Sequence, residues 1–367
     1  MNAIHQLRDL GQSIWLDNIT RGLLSSGTLR RYIQDFSVTG LTSNPTIFEK
    51  AISGADFYDD AIRAKTAAGK AVEALFYELA LEDLTQAADL LRPIHDATLG
   101  VDGWVSLEVS PLLATDTAGS TAAAIELHAR AARPNLFVKI PGTPEGVPAI
   151  EEAIYRGVPI NITLLFSAEQ YLASAEAYMR GIERRRAAGL DLRVRSIASL
   201  FVSRWDVAAN PQLGDRLHNR LGIAVAGQTY RAYRQALASP RWQQLAGAGA
   251  QAQRLLWAST GSKDPTASDT LYVSALAAPD TINTMPEETL HALADHGRPP
   301  SVMASDGIDA DATLAEARAA GLDTDALAVR LQLDGASAFV TSWQRLLEEI
   351  ASKASACGDR PSQFAAR

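Results

Sequence analysis

Hydrophobic and polar positions along the chain alternate between two periodicities. Short runs of β-branched and large apolar residues recur, separated by longer stretches whose apolar residues return every three or four positions, the pattern of repeated βα units. The short runs are SIWLDNI (13–19), GLTSN (40–44), GWVSLEV (103–109), LFVKI (136–140), PINITLLF (159–166), RSIASLFVS (195–203), RLLWAST (254–260) and TINTM (281–285). In segment 69–92, Val72, Leu75, Phe76 and Leu79 follow i, i+3, i+4, i+7 spacing and form one stripe able to cover a sheet. Further helices are expected over 120–132, 148–156, 168–187, 215–238 and 286–295. Eight strands alternating with helices predict an α/β fold of the (β/α)8 TIM-barrel type, a closed parallel barrel inside a ring of helices. An open doubly wound sheet is the alternative. Against it, no G-x-G-x-x-G follows the first run, and no phosphate-loop motif occurs anywhere. Residues 1–350 are expected to form a single catalytic barrel domain, with 244–252 a flexible loop or frayed helix end. Residues 351–367 lose apolar periodicity and are expected to be a polar, loosely ordered tail.

Composition supports a large buried core, since 47% of the 367 residues are hydrophobic and 21% charged. A net charge of −8 opposes nucleic acid and anionic membrane as partners, while leaving room for a small phosphorylated molecule. The single cysteine, Cys357, excludes an intrachain disulfide and fits a reducing cytoplasm. The first residues lack the apolar centre of a secretory signal, and no run of about 18 apolar residues is present to span a bilayer.

In a β/α barrel the reacting groups come from the carboxyl ends of the strands, so polar residues late in the apolar runs are the candidates. They are Asp17 in the first run, Thr42 and Asn44 in the second, Glu108 in the third and Lys139 in the fourth. Asn161 and Thr163 follow in the fifth, Ser199 in the sixth and Ser259 in the seventh. Lys139 stands between Val138 and Ile140, and alternation along a strand turns it toward the barrel interior together with Phe137. It reads either as a nucleophile or as a lysine paired with a buried carboxylate for packing. A nucleophilic amine must be neutral, whereas free lysine titrates near pH 10.4, so burial or nearby positive charge has to penalise the ammonium. A shift of ~3 units corresponds to about 4 kcal/mol. Asp17 and Glu108 are candidate proton carriers, or else neutralise the lysine or cap a loop. Asn161 and Thr163 point the same way and suit hydroxyl or water binding; Asn44, before Pro45, is a polyol ligand or an ordinary turn. Arg204 and Lys263 follow strands six and seven, at a rim suited to phosphate, with plain solvation as the other reading. His291 and His296 lack metal-ligand spacing, and the run Arg184, Arg185, Arg186 reads as a solvated helix end. No metal is expected.

Taken together, WLDN around Asp17, GLTSNPTIFEKAI around Asn44, VSLEVSP around Glu108 and FVKIPGTPEGVPAI around Lys139 resemble the transaldolases. INITLLFS, SLFVSRWD, WASTGSKDP and TINTMPEETL extend the likeness over about residues 13–297, closest to the longer bacterial form of that family. The resemblance implies a class I aldolase-type barrel that needs no cofactor and acts on sugar phosphates, as a monomer or homodimer in the cytoplasm. It also implies transfer of a dihydroxyacetone unit in the non-oxidative pentose phosphate pathway. By the same resemblance Lys139 is the Schiff-base lysine, Asp17 the acid/base at the C4 hydroxyl, and Glu108 the carboxylate working with Thr163 through a water. Asn44, Asn161 and Ser199 match hydroxyl-binding positions, Arg204 a phosphate ligand and Phe201 an active-site aromatic. In the related fructose 6-phosphate aldolases the place of Phe201 is typically a tyrosine, which favours transfer over cleavage. Where short members carry a second arginine just after the position of Ser259, this chain has Thr260, Gly261, Ser262 and then Lys263 as the candidate substitute. The rival readings are a lyase of the same chemistry and a barrel that binds sugar phosphates without reacting.

Overall fold

The structure, a computed structural model, describes residues 3–298 and 301–358. Eight strands, β1 (Ser13–Leu16), β2 (Val38–Leu41), β3 (Trp104–Glu108), β4 (Leu136–Pro141), β5 (Ile160–Leu165), β6 (Ser196–Phe201), β7 (Arg254–Ala258) and β8 (Thr281–Met285), close in chain order. Each neighbouring pair is parallel, and β8 returns to β1. The expected α/β barrel is therefore the observed fold. Its strands are buried from end to end apart from the first residue of β1 and Thr39 of β2, as expected of a parallel sheet covered by helices outside and side chains inside.

Large rings fill the amino-terminal half of the barrel. Trp104 stacks on Phe137 with ring centroids 4.0 Å apart, and Trp15 lies 6.4 Å from the same phenylalanine. Gly40 makes this possible, because a Cβ there would stand 2.3 Å from the Trp15 ring. The carboxyl-terminal half is lined by smaller polar side chains. The interior thus changes from aromatic to polar along the strand direction, and chemistry is confined to one end.

Several boundaries differ from expectation. The first, second and seventh strands end at Leu16, Leu41 and Ala258, so Asp17, Thr42, Asn44 and Ser259 lie just beyond the sheet. Helical stretch 168–187 falls where its spacing predicts, whereas 215–238 opens as a 3-10 turn and becomes α-helical only at Leu221. The helix expected over 69–92 spans Val72–Ala97 and accommodates Pro93. Residues 240–247 are helical and the loop begins after them. The final helix, Thr324–Gly358, continues beyond residue 350 into the expected tail, and 359–367 lie outside the described residues. The basic run is a solvated face only in part, with Arg186 exposed. Arg185 is buried, donating to the carbonyls of Asp191 and Tyr155, and Arg184 pairs with Glu151 and Glu152.

Candidate active site

Glu108, Lys139 and Asn161 occupy paired positions on β3, β4 and β5, so register alone sets these three side chains abreast. Lys139 Nζ donates to the carbonyl oxygen of Ser43 at 2.9 Å and to Glu108 Oε2 at 3.3 Å. Both side chains are 6% exposed. The atoms that receive Nζ are thus a carbonyl oxygen and a carboxylate.

Asp17 follows β1, its backbone N–H donating to the Met285 carbonyl at 2.8 Å. Its carboxylate accepts from Thr42 Oγ1 at 2.7 Å, and that hydroxyl also contacts Thr284 Oγ1 at 2.7 Å. Burial pushes the Asp17 carboxyl above its ordinary value, against the opposing pull of Thr42 and of the Lys139 and Lys263 charges. Glu108 is pushed up by burial as well, with Lys139 pulling the other way. Two acids therefore hold their protons more firmly than in water, beside one buried amine.

Above them opens a cavity of about 710 Å³ at the carboxyl end of the barrel. Every residue singled out in the sequence lines it except Glu108 and Asn161. Glu108 bonds to Lys139, which does line it. Asn161 does not line it: it is fully buried, donating to Ser106 Oγ at 3.1 Å and accepting from Ser199 Oγ at 2.7 Å, with one N–H not used by either bond. Its amide braces three strands beneath the cavity. Thr163 Oγ1, by contrast, is buried with no hydrogen-bond partner among the described residues. Asn44 caps a helix at the edge of the cavity. Its Oδ1 accepts from the Ile47 N–H at 3.0 Å, capping helix Pro45–Ser53, while the residue lines the cavity.

At the rim, Arg204 lies over the rings of Phe201 and Phe339, at 5.1 and 5.9 Å from their centroids. Burial weakens its hold on its proton, and the Glu108 charge opposes this. No carboxylate among the described residues bonds to it. Lys263 is exposed on the loop after β7, likewise without an ion pair among the described residues. Ser259 adopts a left-handed backbone, φ 56°, and its Oγ meets Ser203 Oγ at 2.9 Å.

Helix Thr324–Gly358 supplies groups that sequence reasoning missed. Phe339 lines the cavity, and Gln332 Nε2 donates to the carbonyls of Gly142 and Leu164 at 3.0 and 2.9 Å. Leu164 has φ 60° at a break in the β5–β6 register, and Gln332 satisfies the carbonyl thereby turned out of the ladder. The apolar spacing of Ala328, Leu331, Phe339, Trp343, Leu346 and Ile350 signals such a helix, though not its path across the barrel mouth. Asn18, Glu287 and Glu288 also line the rim.

Among the described residues no cluster of His, Cys, Asp and Glu is placed to hold a metal. His291 bonds to Tyr32 at 2.8 Å, and His296 pairs with Asp269 at 3.1 Å. No helix among the described residues is long and apolar enough to cross a membrane.

The profile of the family described as Transaldolase/Fructose-6-phosphate aldolase matches residues 14–350. A protein named Transaldolase from Saccharopolyspora erythraea is 44% identical over 354 residues, covering 95% of this chain and 96% of the relative. One of the same name from Thiobacillus denitrificans is 43% identical over 95% of this chain and 100% of its own length. A protein named Transaldolase 2 from Nostoc punctiforme is 38% identical over 96% of this chain and 97% of its own. With the barrel, the buried lysine and likeness along nearly the whole sequence in agreement, the chain belongs to the transaldolase/fructose-6-phosphate aldolase family.

Proposed function

We propose that this chain is a transaldolase, transferring dihydroxyacetone from sedoheptulose 7-phosphate or fructose 6-phosphate to glyceraldehyde 3-phosphate or erythrose 4-phosphate in the non-oxidative pentose phosphate pathway. The observation that carries the reading is a buried amine, Lys139 Nζ, on the floor of the cavity beside two carboxylates whose proton affinity burial raises, which strengthens them as bases. A proton passing from Nζ to Glu108 leaves both neutral. The amine then adds to the ketose C2, and loss of water from the carbinolamine gives a protonated imine, with Glu108 and the Thr163 hydroxyl assisting. Asp17 takes the proton of the C4 hydroxyl as the C3–C4 bond breaks. The bonding electrons enter the imine as an enamine, and the shortened aldose leaves. The enamine carbon next attacks the acceptor aldehyde, Asp17 returns its proton to the new alkoxide, and hydrolysis frees Lys139. Arg204 and Lys263 supply positive charge at the rim for the phosphate.

Borohydride with fructose 6-phosphate tests this directly. A dihydroxyacetone adduct on Lys139 by mass spectrometry is the expected result, and an unmodified Lys139 overturns the mechanism. A lyase reading predicts rapid turnover of fructose 6-phosphate without an acceptor. Phe201 argues against it, since its ring packs on Phe166 at 5.5 Å and offers no hydroxyl to protonate an enamine. Phe201→Tyr is expected to increase cleavage in water, and an unchanged ratio of cleavage to transfer removes that argument.

A further inference from the structure

Asn18 lines the catalytic cavity next to Asp17, and no step at Lys139 uses it. The chain bends at Asp17 as it leaves β1, and both residues border the cavity, where a continuing strand would turn them to opposite sides. The Asn18 amide is held in one orientation. Its Nδ2 donates to Glu287 Oε2 at 3.0 Å. A carboxylate only accepts, so the nitrogen end of the amide has to be the one turned toward Glu287. Glu287 is itself fixed from behind. The buried Tyr32 hydroxyl donates to its Oε1, and with that one hydrogen spent the hydroxyl accepts from His291 Nε2, 2.8 Å away. Glu287 also opens helix Glu287–His296, whose amino-terminal end favours a carboxylate.

The atom left over is Asn18 Oδ1. No group among the described residues donates to it, and it is not one of the polar atoms sealed from solvent. An acceptor pinned in place suits a hydroxyl and disfavours a phosphate, which presents acceptor oxygens of its own. The surrounding charge points the same way. Glu287 and Glu288 make this part of the rim acidic, while Arg204 follows β6, third from β1 around the closed barrel. A sugar phosphate with its phosphate toward Arg204 would therefore pass its hydroxylated carbons over Asn18.

We infer that Asn18 determines specificity for the aldose, its Oδ1 accepting from the hydroxyl one carbon beyond the oxygen that exchanges its proton with Asp17. Glu287 is the positioning residue that aims the amide. The inference rests on the transfer reaction proposed for Lys139.

Two acceptors isolate this hydroxyl. Glyceraldehyde 3-phosphate carries it at C2, and glycolaldehyde phosphate lacks it while keeping the aldehyde and the phosphate. Steady-state transfer from fructose 6-phosphate to each gives the ratio of their kcat/KM values. The ratio is expected to favour glyceraldehyde 3-phosphate in the parent and to fall roughly fivefold to tenfold in Asn18→Ala, the greater loss being on glyceraldehyde 3-phosphate. Glu287→Ala, which releases the amide, is expected to lower the same ratio by a smaller factor. Slowing of both acceptors by one common factor in Asn18→Ala is what a mere brace between β1 and helix Glu287–His296 would produce, and it overturns the assignment. Should Asn18→Ala fail to fold, Glu287→Ala decides, and an unchanged ratio there overturns it. Borohydride trapping with fructose 6-phosphate tells the two failures apart: a parent without the Lys139 adduct loses the transfer reading and this inference together, whereas an adduct with an unchanged ratio removes the role of Asn18 alone.

Discussion

Two of the clusters of buried ionisable groups among the described residues look alike until their spare capacity is compared. Beneath the ring of helices, Asp83 is fully buried, accepts from Arg21 Nε at 2.9 Å and from the Tyr58 hydroxyl at 2.8 Å, and is pushed up by burial. At the barrel mouth, Asp17 and Glu108 are pushed up by the same cause. The Asp83 carboxylate spends one oxygen on each partner and does not open onto the catalytic cavity, whereas Lys139, Asp17 and Thr163 all border it. Arg21 is claimed by Asp83 and Glu82; Arg204 has only aromatic rings beside it. Raised proton affinity therefore marks burial, and only unspent hydrogen-bonding capacity facing open space marks a site that acts on another molecule.

The widest separation is expected from removing the cation of each cluster. Lys139→Met is expected to eliminate turnover of the folded protein. Arg21→Met strands a buried carboxylate and is expected to lower stability by about 3 kcal/mol in denaturant titration, with kcat of the folded protein retained. Reversed outcomes would exchange the roles of the two clusters. Next in size, Asp17→Asn is expected to slow transfer by roughly 10²–10⁴-fold while the borohydride adduct on Lys139 still forms.

Stability against pH sharpens the contrast further. Because burial raises the proton affinity of Asp17 in the folded chain, the stability it lends is fully present below the unfolded value, near 3.8, and is lost as pH rises through the folded one. Asn cannot ionise and avoids that loss. Asp17→Asn is accordingly expected to melt above the parent at pH 7, the difference closing as pH falls toward about 4. Asp83→Asn is expected to melt below the parent at pH 7, since an amide nitrogen cannot accept from Tyr58 or Arg21. A parallel response of the two variants contradicts the comparison. The smallest effect belongs to Phe339→Ala, which removes one ring from Arg204 and is expected to raise KM for the phosphorylated donor about fivefold with kcat unchanged.

Much of this was legible because strands write their geometry locally. Alternation around Lys139 sufficed to aim it inward, and a polar residue closing an apolar run located Asp17 and Glu108. What escaped depended on partners distant in the chain. That Asn161 bonds to Ser106 and Ser199 on two other strands is not written in its own strand. Arg185 reads as surface until backbone carbonyls surround it. The contribution of Phe339 requires knowing that a helix crosses the mouth, which no spacing within that helix states.

Gln332 ties its helix to backbone 190 and 168 positions away, at Gly142 and Leu164. Closing so long a loop is slow and entropically costly, and adjacent βα units can pair before it happens. During refolding, tryptophan burial in the barrel should therefore recover ahead of catalytic competence, the interval between them timing the arrival of that last strap.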